Sequence, residues 1–600
     1  MTPDTAAERS SRRRSTLHRR LGALLACCAL LLAAAGCSGG DSVFDRAADG
    51  SDSIPGGSIP GGSGVSAAGR SSGASAGAIP AGAQVYGAFA VDAIPDLMRL
   101  VEAFGASDPA ALTEGLDLGE GADAAVEGIA DAEDTLTCLG DELLFDPESV
   151  PAWMGDEVAL ALFDVEFDAV TGDVTDPSVL VTVDVDDQGA AGAYLQEIIT
   201  SLQTCNETTF DETAYQGVTV YRADPGDGEP PIAIALTEGH MLVGMGAGMV
   251  ERALDLADGV SLADDPDFAE VLAALPADRH LTGYMGMNLP QQMLESLTGT
   301  LAESGQVSLP AGLDPAAALA GARGFGLAVT MLTEGIRLDM VAVGEPTDPR
   351  PIGDTAASGL PGQLPADAIG FVGIGAFDVS AAWNSLTEML AQLPVEEGQP
   401  SIEDSFSLIG FMLGVDLEED LIGQLTGEVG IGVLPATAGT LAEQAGVNLG
   451  VIAVMGVDDP GAMAGTVAAM ADGLAQMMEM PAAPRPFEGG TLYAFSDGTA
   501  DIVLFGMAGD DMVLTTHESH AVALLAGGPK LAGSARYSEA IGGLPQGSAP
   551  MMYLDIAALI AALDLEEAEA AAVAPLQTVA MSVSGGGEVA RTTIYARIDY

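Results

Sequence analysis

The feature that most constrains this chain is that it nearly repeats itself. The segment from Ile79 to Gly344 recurs loosely from Leu364 to Tyr600, and four landmarks carry the correspondence. Ile79-Pro80 before the apolar run Val85 to Val91 matches Leu364-Pro365 before Ile369 to Phe377. Gly155-Asp156-Glu157-Val158 matches Gly427-Glu428-Val429. Tyr215-Gln216-Gly217 before Thr219-Val220-Tyr221 matches Phe487-Glu488-Gly489 before Thr491-Leu492-Tyr493, and Tyr284 after Leu275-Pro276 matches Tyr553 after Leu544-Pro545. The offsets are 285 residues (79 to 364), 272 (155 to 427), 272 (215 to 487) and 269 (284 to 553). Duplication followed by small loop changes leaves near-constant offsets of this kind. Whatever fold suits 79–344 must then suit 364–600, with the Pro- and Gly-rich residues 345–363 as linker.

Within each copy the hydrophobic period switches between two and 3.6. Ala159 to Asp164, Val179 to Val185, Val218 to Arg222, Ile232 to Leu236 and Met241 to Gly244 read as strands. Phe325 to Leu332 and Ile336 to Val343 read as a hairpin across Thr333-Glu334-Gly335. Leu195, Ile198, Ile199 and Leu202 share one helical face. Met463, Val467, Met470, Leu474 and Met477 form another such stripe at steps of four and three. Successive hairpins with helices interposed predict an α+β fold of two related repeats, each an antiparallel sheet with helices packed on one face.

The Pro-led first strand, the Gly-Asp-Glu-Val strand start, the aromatic-x-Gly hairpin and the segment Ser261-Leu262-Ala263 through Phe268 to Leu275-Pro276 resemble a bacterial envelope family, Domain of Unknown Function 3352. The resemblance spans nearly all of the chain beyond residue 78. It implies an architecture, with no catalytic residues and no ligand.

The first 36 residues read as a signal peptide. Arg12, Arg13, Arg14, Arg19 and Arg20 precede an apolar run from Leu21 to Ala35, followed by small residues. That run is short of the roughly 20 residues that span a bilayer. Ala34-Ala35-Gly36-Cys37 resembles a lipobox, with Ala34 where Leu is usual, so Cys37 is the expected site of lipidation and the expected membrane anchor. Leu24-Leu25-Ala26-Cys27 competes, but cleavage there would leave too short an apolar run before it. Residues 37–78, rich in Gly and Ser and carrying Ser-Ile-Pro-Gly-Gly twice, read as a disordered tether.

Beyond Cys37 the chain keeps 14 basic groups (20 less six) against 85 acidic ones (87 less two), a net charge of −71. A field of that sign repels nucleic acid and anionic headgroups, and nucleic-acid binding is excluded on this ground. An acidic solvating coat explains the charge as well as a cation-binding surface does. Cys138 and Cys205 remain as an expected disulfide pair of an oxidising compartment, or as two separate buried thiols.

Motifs for chemistry are sparse. His517-Glu518-Ser519-His520 lacks the zincin spacing and a third ligand, so no metal is assigned and the pair reads as a polar helix start. Counting Asp184 as position one of a calcium loop puts Leu195 where a bidentate Glu is required, which leaves a strand end and a helix cap. Asp224, Asp227 and Glu229 read as loop acids with weak calcium binding as the other reading. The methionine stripe reads as core packing, against a soft metal site or a lipid-binding face. Neither a phosphate-binding Gly-Lys-Ser/Thr loop nor a Gly-x-Ser-x-Gly elbow occurs. No cofactor and no catalytic residue is assigned. The expected function is non-catalytic binding or scaffolding on the outer face of a cell membrane, toward an envelope protein. A carrier of a lipophilic ligand and an uncharacterised hydrolase are the alternatives.

Overall fold

The computed structural model describes residues 71–103, 151–165, 177–205, 209–223, 230–292, 321–345, 358–375, 377–391, 402–436, 446–496, 501–563 and 573–599, apart from a few single positions. Among these residues, ten strands lie in the first half. They are β1 Val85–Ala90, β2 Met154–Phe163, β3 Ser178–Val185, β4 Phe210–Tyr215, β5 Val218–Ala223, β6 Ile232–Leu236, β7 His240–Met245, β8 Leu281–Gly286, β9 Ala322–Leu332 and β10 Gly335–Gly344. The second half adds β11 Gly370–Ile374, β12 Leu425–Pro435, β13 Leu449–Val457, β14 Ala482–Phe487, β15 Gly490–Ser496, β16 Asp501–Ala508, β17 Asp511–Thr515, β18 Pro550–Asp555, β19 Leu576–Ser584 and β20 Val589–Ile598. The helices are α1 Ile94–Ala103, α2 Gln188–Cys205, α3 Met249–Leu254, α4 Pro266–Ala274, α5 Leu360–Gln363, α6 Val379–Ala391, α7 Ile402–Leu413, α8 Pro460–Met478, α9 Glu518–Leu525, α10 Ala535–Gly542 and α11 Ile556–Leu563.

All the pairings are antiparallel and join the strands into one ribbon. Its order is β4-β5-β6-β7-β3-β2-β1-β8-β9-β10 and then β20-β19-β18-β11-β12-β13-β17-β16-β15-β14. Among the described residues one strand pair, β10 on β20, joins the two halves of the ribbon, and in it Asp339 faces Thr593. Pairs of similar residues occur in both halves. Tyr86 faces Tyr284 across β1 and β8, and Phe371 faces Tyr553 across β11 and β18. Tyr215 faces Val218 across the β4–β5 turn, and Phe487 faces Gly490 across the β14–β15 turn. At the first of these turns Gln216 and Gly217 both take positive φ, 49° and 85°, as a two-residue hairpin turn demands. The ribbon's outer edges are β4, which carries Asp211 and Glu212, and β14, which carries Pro484 and Pro486. Charge and proline are what keep an edge strand from recruiting another strand.

Helices cover both faces of the ribbon, which corrects the expectation of one covered face. Ala159, Ala161 and Leu180 pack under α3 and α4 through Met249, Val250, Phe268 and Val271. The opposite face of the same strands, with Val158, Val183, Ile234 and Met241, packs under Leu195 and Ile199 of α2. In the second half Ile452, Val454, Leu492 and Leu504 lie under α9 and α10, whereas Val457, Phe495 and Phe505 lie under Met463, Val467 and Ala471 of α8. The cause is in the strands themselves. Leu449–Val457 is apolar at every position other than its glycines, and each aliphatic side chain left in water forgoes roughly 1.5–3 kcal/mol.

The ends of the halves also differ from expectation. Residues 71–78, assigned to the tether, belong to the body: Ala74–Ala78 is a short 3-10 helix, with Ser75 and Ala76 buried. Likewise residues 358–363, assigned to the linker, pack into the second half through Leu360 of α5. Both corrections have a like cause, a glutamate that accepts hydrogen bonds from the entering chain: Glu157, buried, in the first half and Glu428, half-buried, in the second.

Candidate functional site

Glu157 sits on β2 with 2% of its surface exposed, an expensive place for a carboxylate unless its oxygens are bonded. The chain entering the fold supplies the donors. Ser71 Oγ and Gly73 N donate to Oε1 at 2.7 and 2.9 Å, and Ser75 N donates to Oε2 at 2.9 Å. Arg279, also buried, lies within electrostatic reach. Its Nε donates to Thr282 Oγ1 and its Nη1 to the Pro276 carbonyl, both at 2.7 Å. Glu428 on β12 does the same work in the second half, accepting from Gly359 N and, at 3.5 Å, from Ser358 Oγ. The two glutamates are therefore latches that fix where the chain enters each half. Both stand in the Gly-(Asp)-Glu-Val landmark, so the signal was in the sequence although their role was not.

Around these latches the halves differ. Asp184 of β3 accepts from Ser75 Oγ at 3.2 Å and lies 3.4 Å from His240 Nε2. Burial raises the Asp184 pKa, and His240 opposes the rise. The carboxylate contacts both the serine and the histidine, an order that is not that of a nucleophilic triad, in which the imidazole stands between the other two. Tyr86 is buried beside Glu157 and Asp184, and burial with those two charges pushes its phenol well above the usual range. Among the described residues Tyr86 Oη and Thr182 Oγ1 have no hydrogen-bond partner. In the second half Asp511, the first residue of β17, takes the place that His240 has as the first residue of β7. Burial, Glu428 and Asp510 push its carboxyl up to about 6, against a bond from Gln363.

The histidine pair singled out by sequence divides into two structural roles. His517 caps α9, its Nδ1 accepting from Ser519 N at 3.2 Å. His520 is buried against Gly450, where any Cβ would strike the ring, and its Nδ1 is 3.1 Å from Thr515 Oγ1. Burial lowers its pKa to about 4. Asp187 caps α2, accepting from Gly189 N and Ala190 N at 2.9 and 3.0 Å, so one acid at that strand end serves the helix while Asp184 serves Ser75 and His240. Lys530, the sole lysine, donates to the carbonyls of Gln363 and Leu524 at 2.8 Å and of Ala523 at 3.3 Å, beside a shallow cavity of about 360 Å³. Cys37, Cys138, Asp224, Asp227 and Glu229 lie outside the described residues, and Cys205 is the last residue of α2.

The methionine stripe of α8 is core as far as Leu474, but Met477 is 49% exposed. Among the described residues, the most exposed large apolar side chain lies on α7. On α7, Leu408 is 53%, Phe411 83% and Met412 40% exposed, with Ile409 beside them. The helix is held from behind: Phe406 packs on Trp383 of α6, and the backbone of Met412 and Leu413 lies so close to Gly473 of α8 that a Cβ there would collide with it. Met477 follows Gly473 by one turn, on the same face of α8. An apolar helix face presented in this way has binding as its available chemistry.

A family model described as Protein of unknown function (DUF3352) matches residues 147–593. No curated protein matches the chain. Solved structures with partial likeness are crystal forms I, III and IV of TP0453, each 12% identical with a TM-score of 0.22. They cover 44–45% of this chain and 77–79% of that one.

Proposed function

We propose that this chain, which belongs to the family Protein of unknown function (DUF3352), is a non-catalytic binding protein held on the outer face of a cell membrane by lipid on Cys37. The open apolar face of α7, with Phe411 its most exposed side chain, supports the binding half of this reading. The non-catalytic half is supported by what the buried polar groups are used for. Glu157, Glu428, His517 and Lys530 each hold backbone in place, and Asp184 contacts both Ser75 and His240 in an order that is not that of a nucleophilic triad. The anchor rests on the order of basic, apolar and small residues before Cys37. Its test is Cys37→Ser in a bacterial host fed labelled palmitate. The parent is expected to carry label in the membrane fraction, and the variant to lose the label. A labelled variant retained in the membrane overturns the anchor.

The same reading makes the body a duplicated unit. The pair Gly324–Val343 in the first half and the pair Thr578–Arg597 in the second are both 254 residues apart, position for position. That offset carries Asp339 onto Thr593, its own partner across β10 and β20, bonded at 2.6 Å. A residue that pairs with its own equivalent marks a two-fold axis normal to the sheet. The arrangement is that of a symmetric dimer fused into one chain.

A further inference from the structure

We infer that the open face of α7 seats on an electrically neutral lipid surface, an inference that rests on the binding reading above and names its partner. The side chains offered are Leu408, Ile409, Phe411 and Met412 of α7, and on the neighbouring α8 Met477 is also exposed. None has a group that forms a directional hydrogen bond, so the complementary surface needs none; hydrocarbon fits and a polar epitope does not.

Charge narrows the lipid. Asp416, Glu418, Glu419 and Asp420 follow α7 directly and are all exposed. The sequence holds no lysine or arginine between Arg350 and Arg485, a stretch that includes α6, α7 and α8. A phosphate-rich anionic surface would meet only like charge here, whereas a zwitterionic one carries no net field to oppose seating. The same charge disfavours a second copy as occupant, since pairing two α7 faces would bring two of these acidic loops together. Size argues in the same direction. The open side chains amount to on the order of 500 Å² of apolar surface, short of the roughly 800 Å² that each partner buries in a stable protein interface. Reach is no obstacle once Cys37 is acylated. The 33 residues from 38 to 70 join it to Ser71, the first described residue, and 33 residues reach at most roughly 110 Å.

The experiment uses the full chain carrying Cys37→Ser, so that no lipid of its own contributes, with sucrose-loaded vesicles of phosphatidylcholine or phosphatidylglycerol. Co-sedimentation with phosphatidylcholine is expected, insensitive to salt, and weaker by about fivefold or more on phosphatidylglycerol at low salt. Adding Leu408→Ser and Phe411→Ser should lower phosphatidylcholine binding about tenfold with an unchanged unfolding midpoint, because both side chains already face water. Absence of binding to phosphatidylcholine, equal binding by the serine variant, or a preference for phosphatidylglycerol each overturns the inference. So does a dimer by analytical ultracentrifugation that the serine variant dissolves, which would identify the occupant as a second copy. The anchor is tested separately by palmitate labelling at Cys37, so failure on vesicles and failure of the anchor cannot be confused.

Discussion

Replacing Asp511 by Asn should stabilise the protein at alkaline pH and leave it unchanged in acid. Asp511 is partly buried between Glu428 and Asp510, and its folded pKa is raised from 3.8 to about 6. A raised carboxyl pKa means that the folded state binds the proton more tightly than the unfolded chain. The stability so gained is complete below about 3.8 and is lost as pH rises through about 6. Roughly two pH units at about 1.4 kcal/mol each would give about 3 kcal/mol, and partial solvent contact reduces this to about 1–2 kcal/mol. Asparagine keeps the shape and an acceptor oxygen for Gln363 while removing the charge. Urea unfolding of parent and variant at half-unit steps from pH 4 to 8 is the assay. The two curves should meet near pH 4 and diverge by about 1–2 kcal/mol by pH 8, with the variant more stable. A constant difference across the range, or a less stable variant at pH 8, would refute the reasoning.

The buried histidine should act in the opposite direction. His520 has its pKa lowered to about 4, so the stability of its neutral ring is present above 6.5 and is lost as pH falls toward 4. His520→Met should flatten the acid side of the stability profile, with Thr515 Oγ1 still bonded to the Val451 carbonyl at 3.1 Å; a variant as acid-sensitive as the parent refutes this. Glu157→Ala removes the acceptor of Ser71, Gly73 and Ser75 and should cost about 3–5 kcal/mol. A loss below about 1 kcal/mol in urea unfolding would show that the latch is dispensable.

Much of the ribbon was legible because its strands state their period openly. Ile232–Leu236 has the bounds read from the sequence, and Val218–Ala223 differs by one residue. Tyr215-Gln216-Gly217 announces its hairpin, since the turn needs two residues that tolerate positive φ. Cover on both faces was written in Leu449–Val457, but an unbroken apolar run admits a buried strand of any kind, and interposed helices do not declare which face they return to. Ser71 and Ser75 could not be placed by composition. They resemble the Gly/Ser stretch before them, and their burial depends on Glu157, more than 80 residues away. Helix α7 misleads in another way. Its apolar residues lie nearly all round, which normally means a helix sunk in a core, and only the fold shows that Phe411 faces outward.

The Glu157 latch also determines how the molecule bears load. A pull applied at the N-terminus passes first through Ser71, Gly73 and Ser75 to Glu157, and then into β1. That strand is interior, bonded to β2 on one side and β8 on the other. Drawing it out along its own axis would shear two ladders at once, whereas the same pull on an edge strand such as β4 would shear only one. The chain thus enters its fold at a point built to resist tension.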